Sequence, residues 1–399
     1  MQSINVTRNL NLLFWMKLSM SMFSLTPVAT LFYLHRGLNY PELFLLSVVF
    51  AVVTLVFEVP TGIIADIIGR KWAIIVGLFF YLSHGIWYLF AYGFLEMVFA
   101  FSLFAIGFTF LSGVVEAYIY DLLASDGREQ EMKKEYGRYL SARSIPAFIM
   151  PFVSVFIAKD LLEWQFQVLL WIFIISMLVT LTISFNLQQV EHKKRKEDSY
   201  ILLKDSWELF RNNSDLRQIF WNSALILIPF HLFWRIWQPY LLDFSLPVFF
   251  LGFIVSTHNI LSFFLQRNIH ALEEKIGMER LIFLTAIIPF MGYFLLIFTK
   301  NVVFSVIAVY LVFVLSVSRK PLISDYMNVH IHSRNRATAL SLQNMFQGVI
   351  GIFAMLITAY ASSYYQYAGL YVAIVLVGIG LVFFRLHDGH VANGVAKGS

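Results

Sequence analysis

Long apolar runs separated by short polar intervals dominate the chain, and their length sets the first expectation. A helix crossing a hydrocarbon layer of about 30 Å needs roughly 20 apolar residues, because each residue rises about 1.5 Å and every backbone polar group must be paired within the segment. Runs of that length fall at 9–34, 41–61, 72–93, 97–123, 139–158, 164–186, 217–241, 247–266, 281–299, 302–325, 337–361 and 366–386. The pattern predicts an all-α integral membrane protein with twelve transmembrane helices and both termini on one side. The first run follows a single Arg8, is longer than a signal-peptide core and has no small-residue cleavage site behind it, so it is expected to be retained. The longest polar interval, 187–216, contains His192-Lys-Lys-Arg-Lys-Glu-Asp and then Ile201, Leu202, Trp207, Leu209 and Phe210 at roughly helical spacing. It reads as an amphipathic linker whose basic run is a solvated segment or meets anionic lipid. Cutting there gives an N-terminal six-helix bundle over 1–186, the linker over 187–216, a C-terminal six-helix bundle over 217–386 and a tail over 387–399.

Composition excludes the soluble alternatives. The 399 residues are 59% hydrophobic and 13% charged, where soluble chains average about 25% charged. Cysteine is absent, which removes disulfides, thiolate metal sites and a Cys nucleophile. Of the 29 Lys and Arg residues, 21 fall on the side shared by the termini and the even-numbered loops. Three, Arg36, Lys159 and Lys300, fall opposite, and five, Lys17, Arg143, Arg235, Arg319 and Lys320, lie inside predicted helices. That split places both termini in the cytoplasm, with the chain in the inner (plasma) membrane. Topology therefore accounts for the net charge of +5, and no basic stripe points to nucleic acid. No H-E-x-x-H, no G-x-S-x-G and no phosphate loop is present, so neither an enzyme, a metal nor a cofactor is expected.

The two halves echo one another. Phe14-Trp15 matches Phe220-Trp221, Tyr40-Pro41 matches Leu246-Pro247, and Asp66-Ile-Ile-Gly69 matches Glu274-Lys-Ile-Gly277, in common order and at a near-constant offset. Internal symmetry of this kind is a common transporter construction. Between the second and third predicted helices stands Gly62-Ile-Ile-Ala-Asp66-Ile-Ile-Gly69-Arg70-Lys71. This G-x-x-x-D-x-x-G-R-K stretch closely resembles the signature loop of the major facilitator superfamily, and the chain as a whole resembles its bacterial drug and metabolite efflux branch. The resemblance implies two pseudo-symmetric six-helix bundles around a central cavity. It also implies a conformational latch, in which Gly62 allows close helix approach, Gly69 a tight turn, Lys71 extends the basic end, and Asp66 and Arg70 make charged contacts. By the same pattern Arg70 pairs with an acid at the end of the fourth helix, where Asp121 stands. The second half keeps Glu274 and Gly277 but has Met278 in place of an Arg, so its latch is expected to be weaker.

The family places the first, fourth, seventh and tenth helices around the cavity. Here they carry Lys17, Glu116, Arg235 with His231, and Arg319 with Lys320. An ionisable group in hydrocarbon costs several kcal/mol unless it pairs or meets water, which makes each a candidate. Lys17 and Glu116 lie roughly 10 to 12 Å from the cytoplasmic edge and are expected to pair, with Glu116 as the proton-coupling candidate. Two readings stand for the cation surplus. Either it meets an anionic substrate, or Lys17 and Glu116 neutralise each other while Arg319 and Lys320 snorkel to phosphates. Trp15, Tyr118 and Trp234 are further cavity candidates that could hold an apolar part of a substrate. The fifth helix keeps Pro146 and Pro151 without the glycines many proton-coupled exporters carry there, which weakens an antiporter assignment. The resulting expectation is a monomeric alternating-access transporter of a small organic anion or amphipathic compound, contacting protons and membrane lipids. Proton-coupled export is the favoured direction; uptake of a siderophore-like carboxylate, or lipid flipping, is the alternative.

Overall fold

The structure, a computed structural model, describes residues 4–23, 25–190, 208, 210–330 and 336–386. The basic run and most of the expected amphipathic linker, together with the tail, lie outside the described residues. All regular structure among the described residues is helical: α1 (Val6–Met20), α2 (Ala29–His35), α3 (Tyr40–Ile68), α4 (Arg70–Tyr88), α5 (Gly93–Leu111), α6 (Val114–Ala124), α7 (Met132–Ser141), α8 (Ser144–Ile157) and α9 (Glu163–Phe185), then α10 (Ser214–Trp234), α11 (Trp237–Leu242), α12 (Val248–Arg267), α13 (Ile269–Ile276), α14 (Met278–Phe298), α15 (Val302–His330), α16 (Arg336–Ser362) and α17 (Ala368–Phe383).

Eight described segments are long and apolar enough to cross a membrane: 40–68, 93–124, 129–157, 163–185, 248–267, 278–298, 302–327 and 342–362. The other four predicted spans are helical but fall short in length or hydropathy. Four expected helices are also interrupted. The 9–34 run breaks after Met20, where Ser21 Oγ turns back onto the Lys17 carbonyl at 2.6 Å and Pro27 supplies no backbone donor. The 97–123 run breaks at Ser112 and Gly113, whose φ of 73° suits glycine. The 139–158 run is divided at Ala142 and Arg143, and the 217–241 run at Arg235 and Ile236. Apolar length alone carries no signal for such breaks.

The chain forms two compact units. One comprises Met1–Asn39, Leu46–Arg195 and Val248–Ser256; the other comprises Tyr40–Leu45, Lys196–Pro247 and Thr257–Ser399. The short exchanged pieces have local causes. In the first unit Gly252 brings its backbone against the Pro151 carbonyl, too close for a Cβ, and Ser256 Oγ donates to the Phe148 carbonyl at 2.8 Å. In the second, Tyr40 meets the Tyr367 ring edge-on at 5.8 Å.

Within the first unit Leu10, Leu13 and Met16 of α1 share one apolar core with Ile74 and Leu78 of α4 and Ile119 and Leu122 of α6. In the second, Ile219 and Phe220 of α10 share a core with Ile282 of α14 and Leu322 and Ile323 of α15. Large apolar side chains such as Leu95, Phe156 and Phe383 stay exposed, as suits a lipid solvent. Between helices in lipid the driving force is close packing. A Cβ on Gly107 would come within 2.8 Å of the Gly77 carbonyl, so α5 and α4 touch backbone to backbone.

One ion pair ties an end of the first unit together. Arg36, only 1% exposed, donates from Nη2 to Glu163 Oε1 at 2.6 Å and from Nη1 to the Ala91 carbonyl at 2.9 Å, with its guanidinium 4.1 Å from the Tyr92 ring. His35 Nε2 lies 3.3 Å from the other Glu163 oxygen. Breaking a buried pair on one side leaves a charge without compensation, which costs 3–5 kcal/mol when both partners are buried. Glu163 is partly exposed, so Glu163→Gln is expected to cost about 2 kcal/mol, measured as thermal unfolding of the detergent-solubilised protein. An unchanged unfolding temperature would show that Arg36 does not depend on the carboxylate.

Candidate functional site

Most of the residues expected to form the latch converge. α3 ends at Gly69, whose φ of 89° and ψ of 154° form a conformation open essentially to glycine alone. This reversal puts Arg70 at the start of α4, where its Nη2 lies 3.0 Å from Asp66 Oδ1 and its Nε 3.9 Å from Asp121 Oδ2 on α6. Asp66, Arg70 and Asp121 therefore come together across two helix ends. Lys71 donates from Nζ to the Phe185 carbonyl at the end of α9, at 2.9 Å. Gly62 departs from expectation, since a Cβ there would meet nothing within 4 Å. In this conformation it permits no close helix approach.

The second half repeats the backbone and changes the chemistry. Gly277 has φ 85° and ψ 148°, almost the values of Gly69. Met278 offers no charge, but the next residue, Glu279, lies 3.6 Å from Arg385 beyond the end of α17. An ion pair thus stands where the first half has Lys71 bonding a carbonyl.

The cavity candidates separate into two kinds. Lys17 and Glu116 do not pair; among the described residues neither makes an ion pair within 4 Å. The Lys17 ammonium sits 5.4 Å from the Tyr139 ring, within electrostatic reach of Arg143. Tyr139 stacks on Tyr136 at 6.1 Å, and Tyr136 lies in turn within electrostatic reach of the exposed Glu116. Two tyrosines stand where direct contact was expected. Trp15 is 56% exposed, whereas Tyr118 is fully buried and bonds to Asn9 Oδ1 at 3.1 Å and the Gln188 carbonyl at 2.7 Å. Tyr118 is a packing residue of the first unit in this structure, not a cavity one.

In the second unit Arg319 is fully buried. Its Nη1 donates to the Ile282 carbonyl at 2.5 Å and Thr285 Oγ1 at 2.8 Å, and its Nη2 to Asn222 Oδ1 at 2.5 Å. Being fully buried it does not snorkel, which corrects that part of the sequence reading. Lys320, the next residue, is exposed and shares electrostatic reach of His231 with Arg235. His231 is exposed with Nδ1 3.2 Å from the Leu227 carbonyl, and Trp234 lies among Phe230, Phe313 and Trp237. Sequence reasoning missed Asn222 and Thr285; an amide within an apolar helix was the available signal. No group of three His, Asp or Glu suited to a metal occurs among the described residues.

Two comparisons test these assignments. Gly69→Ala and Gly277→Ala should each cost about 1–3 kcal/mol of stability through backbone strain. Gly62→Ala should be neutral or stabilise by up to about 1 kcal/mol, all three measured by thermal unfolding; equal losses would refute the conformational argument. Arg319→Lys cannot span three acceptors and should lose about 2–4 kcal/mol, while Lys320→Ala should stay within about 0.5 kcal/mol.

Comparison with known proteins agrees with this architecture. The Major Facilitator Superfamily profile matches residues 16–355. The chain is 24% identical over 279 residues to the MFS-type transporter MJ1560 of Methanocaldococcus jannaschii, covering 68% of this chain and 69% of that one. It is 23% identical over 274 residues to the MFS-type transporter YxaM of Bacillus subtilis, covering 68% and 67%. Its fold is similar to that of the nucleoside transporter NupG, with a TM-score of 0.76 at 14% identity over 99% of this chain and 100% of that one. It is also similar to a bacterial homolog of the human lysosomal transporter Spinster, with a TM-score of 0.76 at 12% identity over 98% of both chains. It is a multi-pass membrane transporter rather than an enzyme, and the chain belongs to the Major Facilitator Superfamily.

Proposed function

We propose that the protein is a proton-coupled secondary transporter that exports a small organic anion, or an amphipathic molecule with an anionic group, by alternating access. The observation that carries this reading is the surplus of cations in each unit. Lys17 and Arg143 lie within reach of one another in the first, and Lys320 and Arg235 both lie within reach of the His231 ring in the second. No carboxylate lies within 4 Å of Lys17, Arg143 or Lys320 among the described residues. Like charges gathered in a low-dielectric segment repel, and an anionic ligand relieves that repulsion.

Glu116 is the proton carrier in this reading. It is exposed at the start of α6, and Tyr139 and Tyr136 connect it to the Lys17 ammonium. Protonation of Glu116 removes a negative charge on the far side of the two tyrosines and strengthens the local pull on an anion. Asp66, Arg70 and Asp121 serve as the latch, outside the ligand site. The Lys and Arg distribution supports cytoplasmic termini in the inner membrane, with 187–216 as linker between the bundles of a monomer.

Flux in oriented proteoliposomes, across organic anions, neutral analogues and cationic drugs, with and without a pH gradient, tests the reading. Anion movement is expected to follow the gradient outward. Lys320→Ala should weaken anion transport about 10-fold more than that of a neutral analogue, and Glu116→Gln should abolish pH-driven flux. Transport of cations alone, or undiminished pH-driven flux by Glu116→Gln, would overturn it; inward anion flux would reverse the direction only.

A further inference from the structure

Arg319 poses an electrostatic problem that its visible partners do not solve. The side chain is fully buried in a membrane-spanning helix, and its acceptors, the Ile282 carbonyl, Thr285 Oγ1 and Asn222 Oδ1, are all neutral. No carboxylate lies within 4 Å of it among the described residues. Its Nε–H is buried and has no hydrogen-bond partner. Neutral dipoles satisfy donors but leave the net charge, and a buried charge without compensation is among the most costly arrangements a protein holds.

Beside this guanidinium lies a small chamber. Arg319 lines it together with Asn222, Ala286, Leu381 and Arg385. The Arg385 charge is only partly offset by Glu279 at 3.6 Å, and its guanidinium lies 4.6 Å from the Phe283 ring. Two cationic residues and the Asn222 amide thus line the chamber among apolar side chains, and it has room for about one small sphere. A water there would leave the charge, whereas a monoatomic anion brings both an acceptor and the opposite charge in about the volume of one sphere.

We propose that this chamber of the second unit is a halide site, holding one chloride ion against Arg319 and Arg385. The ion is structural: it neutralises the buried guanidinium that joins α10, α14 and α15. The site is separate from the exposed Lys320, Arg235 and His231, so it stands or falls independently of the transported substrate.

The test uses the purified full-length chain in detergent at constant ionic strength, with chloride, bromide or gluconate as the only anion. Chloride and bromide should raise the unfolding temperature saturably, by about 3 °C over gluconate. Crystals grown in bromide should give an anomalous peak in contact with the Arg319 guanidinium. Arg319→Gln should lose the halide effect but removes three hydrogen bonds and is liable to misfold. Ala286→Val is the second variant: it narrows the chamber, leaves every Arg319 partner in place, and should abolish both the shift and the peak while the protein stays folded. Equal unfolding temperatures in the three anions with no anomalous peak would overturn the proposal and leave a water in the chamber. A halide shift that persists in Ala286→Val would overturn it too, by placing the ion elsewhere.

Discussion

Hydrocarbon offers a peptide group no hydrogen bond and a charge no solvation, and every feature of this chain answers to that. Backbone groups are met by helices, and where a helix breaks, the turn keeps its own bonds: Ser112 N reaches the Phe108 carbonyl at 2.8 Å and Ile236 N the Phe233 carbonyl at 3.0 Å. Charges are met one at a time and by different means. Arg36 has a carboxylate, Lys17 an aromatic face, and Arg319 a ring of neutral oxygens. Long basic side chains that find no such partner, Lys320 among them, stay exposed.

The apolar rhythm made the helical class and most helix positions legible, because length and hydropathy act on whole segments. The meeting of Asp66, Arg70 and Asp121 around the reversal at Gly69 was legible as well, since the positive φ there calls for glycine and the three charges stand in the sequence. What could not be read was direction around each helix. Lys17 and Glu116 have similar depth, yet depth arithmetic gives only height along an axis. Tyr118 follows Glu116 by two residues, about 200° around a helix, so when Tyr118 turns into the core Glu116 turns away. Arg319 and Lys320 differ by about 100°, and one is enclosed while the other is open. Treating neighbours as a pair hid two roles. The helix breaks escaped for a related reason, as a polar side chain that closes a turn looks in sequence like one that merely sits in a helix.

The internal repeat is more exact in backbone than in charge. Gly69 and Gly277 share nearly the same dihedral angles, so the reversal after the third and twelfth helices, α3 and α12 with its extension α13, is built alike. The residue that follows by one or two positions then diverges. Arg70 engages two acids in the first half, whereas the second half has Met278 and an acid, Glu279, that engages a base. The two reversals thus share a backbone design and differ in electrostatics.

The Arg36–Glu163 pair has a consequence for biogenesis. Its members are 127 residues apart, and α3 through α8 intervene. At about 5–20 residues per second, the ribosome delivers Glu163 roughly 6–25 s after Arg36. Throughout that interval Arg36 must be held by water, headgroups or the insertion machinery, because its final partner does not yet exist. The Ala91 carbonyl and the Tyr92 ring reach Arg36 earlier, but its charge is matched only when α9 arrives, so a nascent chain stalled before that helix carries a cation without its carboxylate.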